Sequence, residues 1–201
     1  MDGASVALLR DALAPTGWVE RTSDFARGLR TSTRSPGGLL LVGTPQDEPW
    51  HLTAHLDDES RFGDIPQLAP TLVRWSPPDD APAHLSVGVE RLEAARRGET
   101  LLVVSAQVAP VPLLERAWDA RKTGATIFAL DTGDKELENI AHDALMVPQA
   151  GEAGELASFD AAQHLVSAAA GDPAPAGRGK EGLRQRLARL LDVISGPAGP
   201  G

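Results

Sequence analysis

The chain has 201 residues, enough for one domain with a full core, and 42% of them are hydrophobic, an ordinary share for a soluble globular protein. It has no Cys, so disulfides and thiolate metal sites are excluded, and no Tyr, which leaves few aromatic surfaces for stacking bases. A formal net charge of −9 argues against a nucleic-acid backbone or an anionic membrane surface as partner.

Residues 1–13 carry Asp2 and Asp11 and lack the long apolar run of a signal peptide. No segment approaches the ~20 apolar residues of a membrane span. The expected compartment is the cytoplasm, with neither membrane nor nucleic acid as partner. Arg outnumbers Lys, and Ala, Gly and Pro abound, as in the coding bias of a GC-rich bacterial genome.

Taken in chain order, two helical stretches come first, at about 5–13 and 22–29. Five short apolar runs follow, at 39–42, 72–75, 101–104, 126–130 and 144–147. None alternates apolar with polar residues, the pattern of strands buried on both faces in a parallel sheet. The segments between them have helical spacing. Residues 47–58 carry Trp50, Leu52 and Leu56, and 83–97 carry Leu85, Val89 and Leu92. Residues 112–122 carry Leu113, Leu114, Ala117 and Trp118 before Gly124, a C-capping glycine. Residues 134–142 carry Leu137 and Ile140 behind Asp134, a natural N-cap. Strand and helix thus alternate as in βαβ units with right-handed crossovers. Trp50, Trp75 and Trp118 are expected to pack in the core.

A helix over 156–169 follows the last strand. A Gly/Pro/Ala linker at 171–179 then leads to an amphipathic helix at 180–195, with Leu183, Leu187, Leu190, Leu191 and Ile194 on one face. That face either docks on the same core or meets a partner. The tail, 196–201, is expected to be disordered. The domain proper is therefore 1–170. The fold class is α/β: a three-layer αβα sandwich around a five-stranded parallel sheet, flavodoxin-like, with flanking terminal helices.

The stretch from Gly88 to Pro148 resembles a sugar isomerase (SIS) domain, and within that group the phosphoheptose isomerases. Four blocks carry the resemblance: Glu93-Ala94-Ala95-Arg96-Arg97-Gly98-Glu99, then Gly124-Ala125-Thr126-Ile127-Phe128-Ala129-Leu130-Asp131, then Leu137 to Asp143, then Val147-Pro148. Leu41-Val42-Gly43 and Arg61-Phe62 add to it, and the likeness runs from about Phe25 to Ala169. It implies a carbohydrate-derivative or phosphosugar ligand, held by loops at the C-terminal ends of the strands. It also implies a homodimer in which each subunit completes the other's site.

The ligand-binding residues so indicated are Gly43, Thr44, Ser105 and Gln107. The second loop departs from the family pattern Ser-x-Ser-Gly-x-Thr/Ser. Gln107 stands for the second Ser, Val108 for the Gly and Pro110 for the terminal hydroxyl residue. Val adds a β-branched side chain, and Pro removes an N–H and a hydroxyl together. In the first loop, Asp47 and Glu48 would occupy the positive end of a helix that an anion needs.

The expectation is a degenerate, non-catalytic SIS-type domain, either a binding module or a regulatory or structural dimer. The alternative is an active aldose–ketose phosphosugar isomerase with a remodelled site. Its proton-transfer candidates are His51, His55 and His84, because isomerisation needs a base that moves a proton between neighbouring carbons. A more distant doubly wound nucleotide binder lacks both G-x-G-x-x-G and a Walker A loop.

No cofactor and no metal are expected. His51 and His55 nevertheless stand four apart on one helix face, a frequent metal frame, and His164 lies on the late helix. Some phosphoheptose isomerases hold a metal with a His and a carboxylate on the first of these helices and a Gln and a His on the late one. Gln163 and His164 stand on the corresponding helix here. However, the register set by Arg61-Phe62 puts Thr53 and Asp57, not His51 and His55, at the family's ligand positions, whereas a shift of two residues restores the histidines and breaks the Arg-Phe match. His142 is expected to be structural.

Overall fold

The computed structural model describes residues 17–147 and 158–172. The expected helices at 5–13 and 180–195, the tail and nearly all of the linker lie outside the described residues.

In chain order the elements are α1 (Trp18–Ser32), β1 (Leu39–Val42), α2 (Trp50–Phe62), β2 (Pro70–Val73), β3 (Thr100–Ser105), α3 (Val111–Lys122), β4 (Thr126–Asp131), α4 (Lys135–Ile140), β5 (Asp143–Met146) and α5 (Phe159–Gly171). The sheet order is β2-β1-β3-β4-β5 and every pair is parallel. Each apolar run became a strand, and β1 and β3 are buried at every position. The second run begins two residues earlier than expected, at Pro70.

Alternate residues of each strand feed two cores. On one face, Leu39, Leu41, Leu102, Val104, Phe128 and Leu130 pack under α1, α2 and α5. On the other, Leu40, Val42, Leu101, Val103, Ile127 and Ala129 pack under α3 and α4. This is the three-layer αβα sandwich expected. Phe25 of α1 meets Phe128 edge-to-face, with ring centroids 5.2 Å apart, the arrangement that ring quadrupoles favour. Gly124 ends the turn after α3 with φ 99°, a conformation open to glycine. No helix among the described residues is long and apolar enough to cross a membrane.

The segment 83–97 departs from expectation. It forms two short 3-10 turns, Ala83–Leu85 and Val89–Ala94, rather than one helix. The break has a tertiary cause: Gly88 pairs alongside Arg74 just past β2, and the Arg74 N–H donates to the Val87 carbonyl. The chain must be extended there, so the helical spacing of Leu85, Val89 and Leu92 cannot be used as one helix. Two tryptophans also depart from expectation. Trp50 and Trp118 are about half exposed, and each is covered by an arginine, Arg74 at 4.6 Å and Arg121 at 6.0 Å from the ring centroid.

Candidate functional site

In open parallel sheets, ligands bind beyond the strands' C-terminal ends, where the strand order reverses. Here β1 is followed by β2 on one side, while β3, β4 and β5 run out on the other. The reversal therefore lies between β1 and β3. Val42 pairs with Val103, so Thr44 and Ser105, each two residues further on, stand at the same level on either side of it. The ligand residues expected from sequence, Gly43, Thr44, Ser105 and Gln107, thus fall on the two loops that flank this crevice.

The first loop is tightly closed. The Thr44 N–H donates to the Asp47 carbonyl at 3.1 Å, and the Asp47 N–H donates back to the Thr44 carbonyl and to its hydroxyl, both at 3.2 Å. Gly43 is required by this closure: a Cβ there would lie 2.0 Å from the Asp47 carbonyl oxygen. Glu48 does not cap α2. Its carboxylate accepts from Arg74 Nε and from the Trp75 N–H, each at 3.0 Å, while Trp75 Nε1 donates to the Gly43 carbonyl at 2.8 Å. Glu48 therefore anchors the loop to the end of β2 and does not stabilise the helix dipole directly.

The second loop consumes its own donors. Ser105 Oγ donates to the Gln107 carbonyl at 2.5 Å and accepts from the Gln107 N–H at 3.3 Å. The Ala109 N–H donates to Asp134 Oδ2 at 2.7 Å. Asp134 is the N-cap of α4, as expected, and its Oδ1 takes the N–H groups of Glu136 and Leu137. Pro110 and Pro112, at the start of α3, have no N–H to offer. The Gln107 side chain is exposed, between buried Ser105 and the outward-facing Val108 and Val111.

Beneath this loop lies a residue whose role the sequence reading left unassigned. Asp131 ends β4, pairs in register with Ser105 and is fully buried. Its Oδ1 accepts from the Gly133 and Asp134 N–H groups at 2.5 and 3.1 Å, and its Oδ2 is buried without a hydrogen-bond partner. Burial pushes this carboxyl above the usual range, and the two N–H groups act against that shift. The only signal in the sequence was an acid closing an otherwise apolar strand.

A second cluster stands on the α1–α2–α5 face. His51 is in the first turn of α2, His55 is one turn on, and His164 comes from α5. Their Nε2 atoms converge: His51 to His164 at 2.9 Å and His55 to His51 at 3.1 Å. The three ring centroids are 4.5–4.6 Å apart. His164 is buried, with Asp160 Oδ2 3.8 Å from its Nε2. Burial, reinforced by His55 and His51, lowers the His164 pKa to about 4, while Asp160 opposes the shift. Burial and His51 also lower His55. These are the residues among those described that could hold a metal ion. His84 is not in this group; it stands exposed on the first 3-10 turn. His142 accepts the Ile127 N–H at its Nδ1, a structural use, as expected.

No family model matches the sequence, and no curated protein does. Solved structures do match. A candidate phosphosugar isomerase from Silicibacter pomeroyi superposes with a TM-score of 0.51 at 16% identity, over 93% of this chain and 53% of that one. A candidate sugar-binding protein from Salmonella typhimurium gives 0.52 at 14% identity, over 89% and 52%. The NanR protein of Vibrio vulnificus, solved with ManNAc-6P, gives 0.53 at 12% identity, over 97% and 69%. The chain spans about half the length of the first two. These likenesses are of fold: the parallel α/β sandwich is shared with these three proteins.

Proposed function

We propose that this chain is a SIS-type domain that binds a sugar phosphate or related carbohydrate derivative without isomerising it. The observation that carries the reading is the state of the β3–α3 loop at the switch point. Its position is that of a ligand loop, but the Ser105 hydroxyl and the Ala109 N–H are both spent on the protein itself. A phosphate at a helix N-terminus needs free N–H donors. Here two prolines and the Asp134 carboxylate leave few, and buried Asp131 adds a second acid below. The exposed Gln107 amide, flanked by Val108 and Val111, suits the neutral part of a sugar derivative better than its phosphate. The likeness to NanR, itself solved with ManNAc-6P, supports a phosphosugar class of ligand.

The test is thermal denaturation against a panel of phosphosugars, amino-sugar phosphates and their unphosphorylated forms. Ligand at 100 times its Kd adds about 2.7 kcal/mol to native stability, an easily read rise in Tm. The expected hit is lost in Gln107→Ala. Exchange of substrate carbon-bound protons with deuterated solvent would overturn the non-catalytic part and restore the isomerase. No shift with any compound would overturn the binding part.

The exposed Val111 and Trp118, one face of α3 two turns apart, favour a second reading that can coexist with the first: a homodimer that uses this helix. Sedimentation of the wild type and of Val111→Glu decides it. A monomeric wild type, or an unchanged dimer in the variant, refutes the α3 interface.

A further inference from the structure

We propose that the segment 180–195 of this same chain docks as an amphipathic helix into the groove between α1 and α5. The groove is lined by Val19, Thr22 and Ser23 of α1 and by Leu165 and Ala169 of α5. Its two hydroxyls are already spent. Thr22 Oγ1 donates to the Trp18 carbonyl at 2.8 Å and Ser23 Oγ to the Val19 carbonyl at 2.9 Å, each four residues back on its own helix. What is left to face an occupant is methyl and methylene surface. Ala162, Val166 and Ala170 turn α5 toward the sheet core, and Ala161 and Leu165 stand about 100° around the helix from them. These two form a small cluster apart from both sheet cores, with Trp18 and Val19 packed against it. Satellite clusters of this kind form under a covering segment. α5 also carries no charged residue between Asp160 and its end at Gly171, so it needs cover on more than its sheet side.

The occupant follows from length, pattern and charge. Leu165 meets Val19 near the start of α1, and Arg30 near its end donates from Nη1 to the Ala170 carbonyl at 3.3 Å, so α1 and α5 run in the same direction. The chain leaves this pair at Gly171. A helix that follows and turns back runs antiparallel along the groove. The stretch 172–179 reaches up to about 26–29 Å when extended, more than the reversal needs. A helix over 180–195 is about 24 Å long, against about 20 Å for α5. Its apolar stripe, Leu183, Leu187, Leu190, Leu191 and Ile194, matches the apolar lining. A one-faced helix of this length is marginal alone in water and takes its stability from packing. Arg178, Lys180, Arg184, Arg186 and Arg189 make the segment basic in a chain of net charge −9. Glu20 and Asp24, exposed on α1 next to Val19 and Ser23, offer acids at the rim, Asp24 also holding Arg27 at 2.7 Å. The rival segment, 1–16, sets Asp2 and Asp11 against Arg10 and lacks this complementarity. The docking does not depend on the sugar-binding reading.

The chain has no Cys, so an introduced pair reports a single contact. In the full chain, Ser23→Cys is combined in turn with Leu183→Cys, Leu187→Cys, Leu190→Cys and Ile194→Cys. Each variant is confirmed as folded by circular dichroism and mildly oxidised, and its products are separated by non-reducing electrophoresis. A disulfide needs Cα atoms within about 7 Å, so an intramolecular link is expected at one or two neighbouring stripe positions. None is expected from Gln185→Cys, on the opposite face of the helix. The uncrosslinked double variant Leu187→Glu, Leu190→Glu should exchange its α1 and α5 amides about 10-fold faster or more, with β1 and β3 unchanged. No intramolecular link from any stripe position, or an equal yield from Gln185→Cys, would overturn the docking. Links formed only between chains would overturn it in favour of a second copy in the groove. A link from Leu9→Cys, with the stripe silent, would overturn it in favour of the N-terminal segment.

Discussion

Acidification should weaken the metal-free protein through His164, by an amount the structure sets. The unfolded chain carries this histidine at its ordinary pKa of 6.5, and the folded chain lowers it to about 4 because burial disfavours the charged ring, with His55 and His51 adding to the effect. A lowered pKa means that the unfolded state binds more protons across that interval. Stability is therefore intact above about pH 6.5 and falls as the pH drops toward about 4, by about 1.4 kcal/mol per unit. Over the whole window this is about 3 kcal/mol, a large part of a domain's typical 5–15 kcal/mol. The assay is urea denaturation followed by tryptophan fluorescence, in chelator, at steps of pH from neutral to about 4. The wild type is compared with His164→Gln, so that titrations common to both chains cancel. The expected difference curve is flat near neutrality and declines on the acid side. Parallel curves across the window would refute the placement of a neutral, buried His164 in this cluster.

Two further substitutions probe the crevice. Asp134→Ala removes the acceptor of three N–H groups, those of Ala109, Glu136 and Leu137. A lost N-cap together with a stranded buried donor should cost about 2–4 kcal/mol in urea denaturation, and a loss under about 0.5 kcal/mol would show that the loop does not depend on this carboxylate. Gly43→Ala places a Cβ 2.0 Å from the Asp47 carbonyl oxygen, so the first loop must open or the chain must unfold. A variant with wild-type Tm and an unchanged ligand response would contradict the closed turn at 43–47.

The fold was legible because its strands are buried on both faces. A run such as Leu39–Val42 has no polar alternation to confuse with an exposed sheet, and the turns and caps at Gly124 and Asp134 mark the helices between. Legibility failed where a distant partner decided the local structure. Nothing near Gly88 announces that its backbone will lie beside Arg74 and interrupt a helical pattern. Glu48 reads as a helix-terminal acid until Arg74 and the Trp75 N–H claim its carboxylate. The histidine cluster is of the same kind. The pair on α2 is visible in sequence, but the third ring comes from 113 positions away, and only packing of α5 on α2 supplies it.

The crevice and the histidine cluster differ in what they leave available, and that difference bears on function more than fold likeness does. At the switch point the groups that could meet an anion are already satisfied. Ser105 is turned onto its own loop, the Ala109 N–H is taken by Asp134, and Pro110 and Pro112 contribute no donor. Val108, in place of a close-packing glycine, projects outward rather than admitting a phosphate against the backbone. These features support one another: with so few N–H groups left at that turn, a carboxylate can sit beneath it without competing with a bound anion. The histidines present a different case. Three imidazoles are held together on packed helices, with His51 Nε2 shared between the other two rings. A site whose donors are spent favours recognition of a ligand's neutral surface.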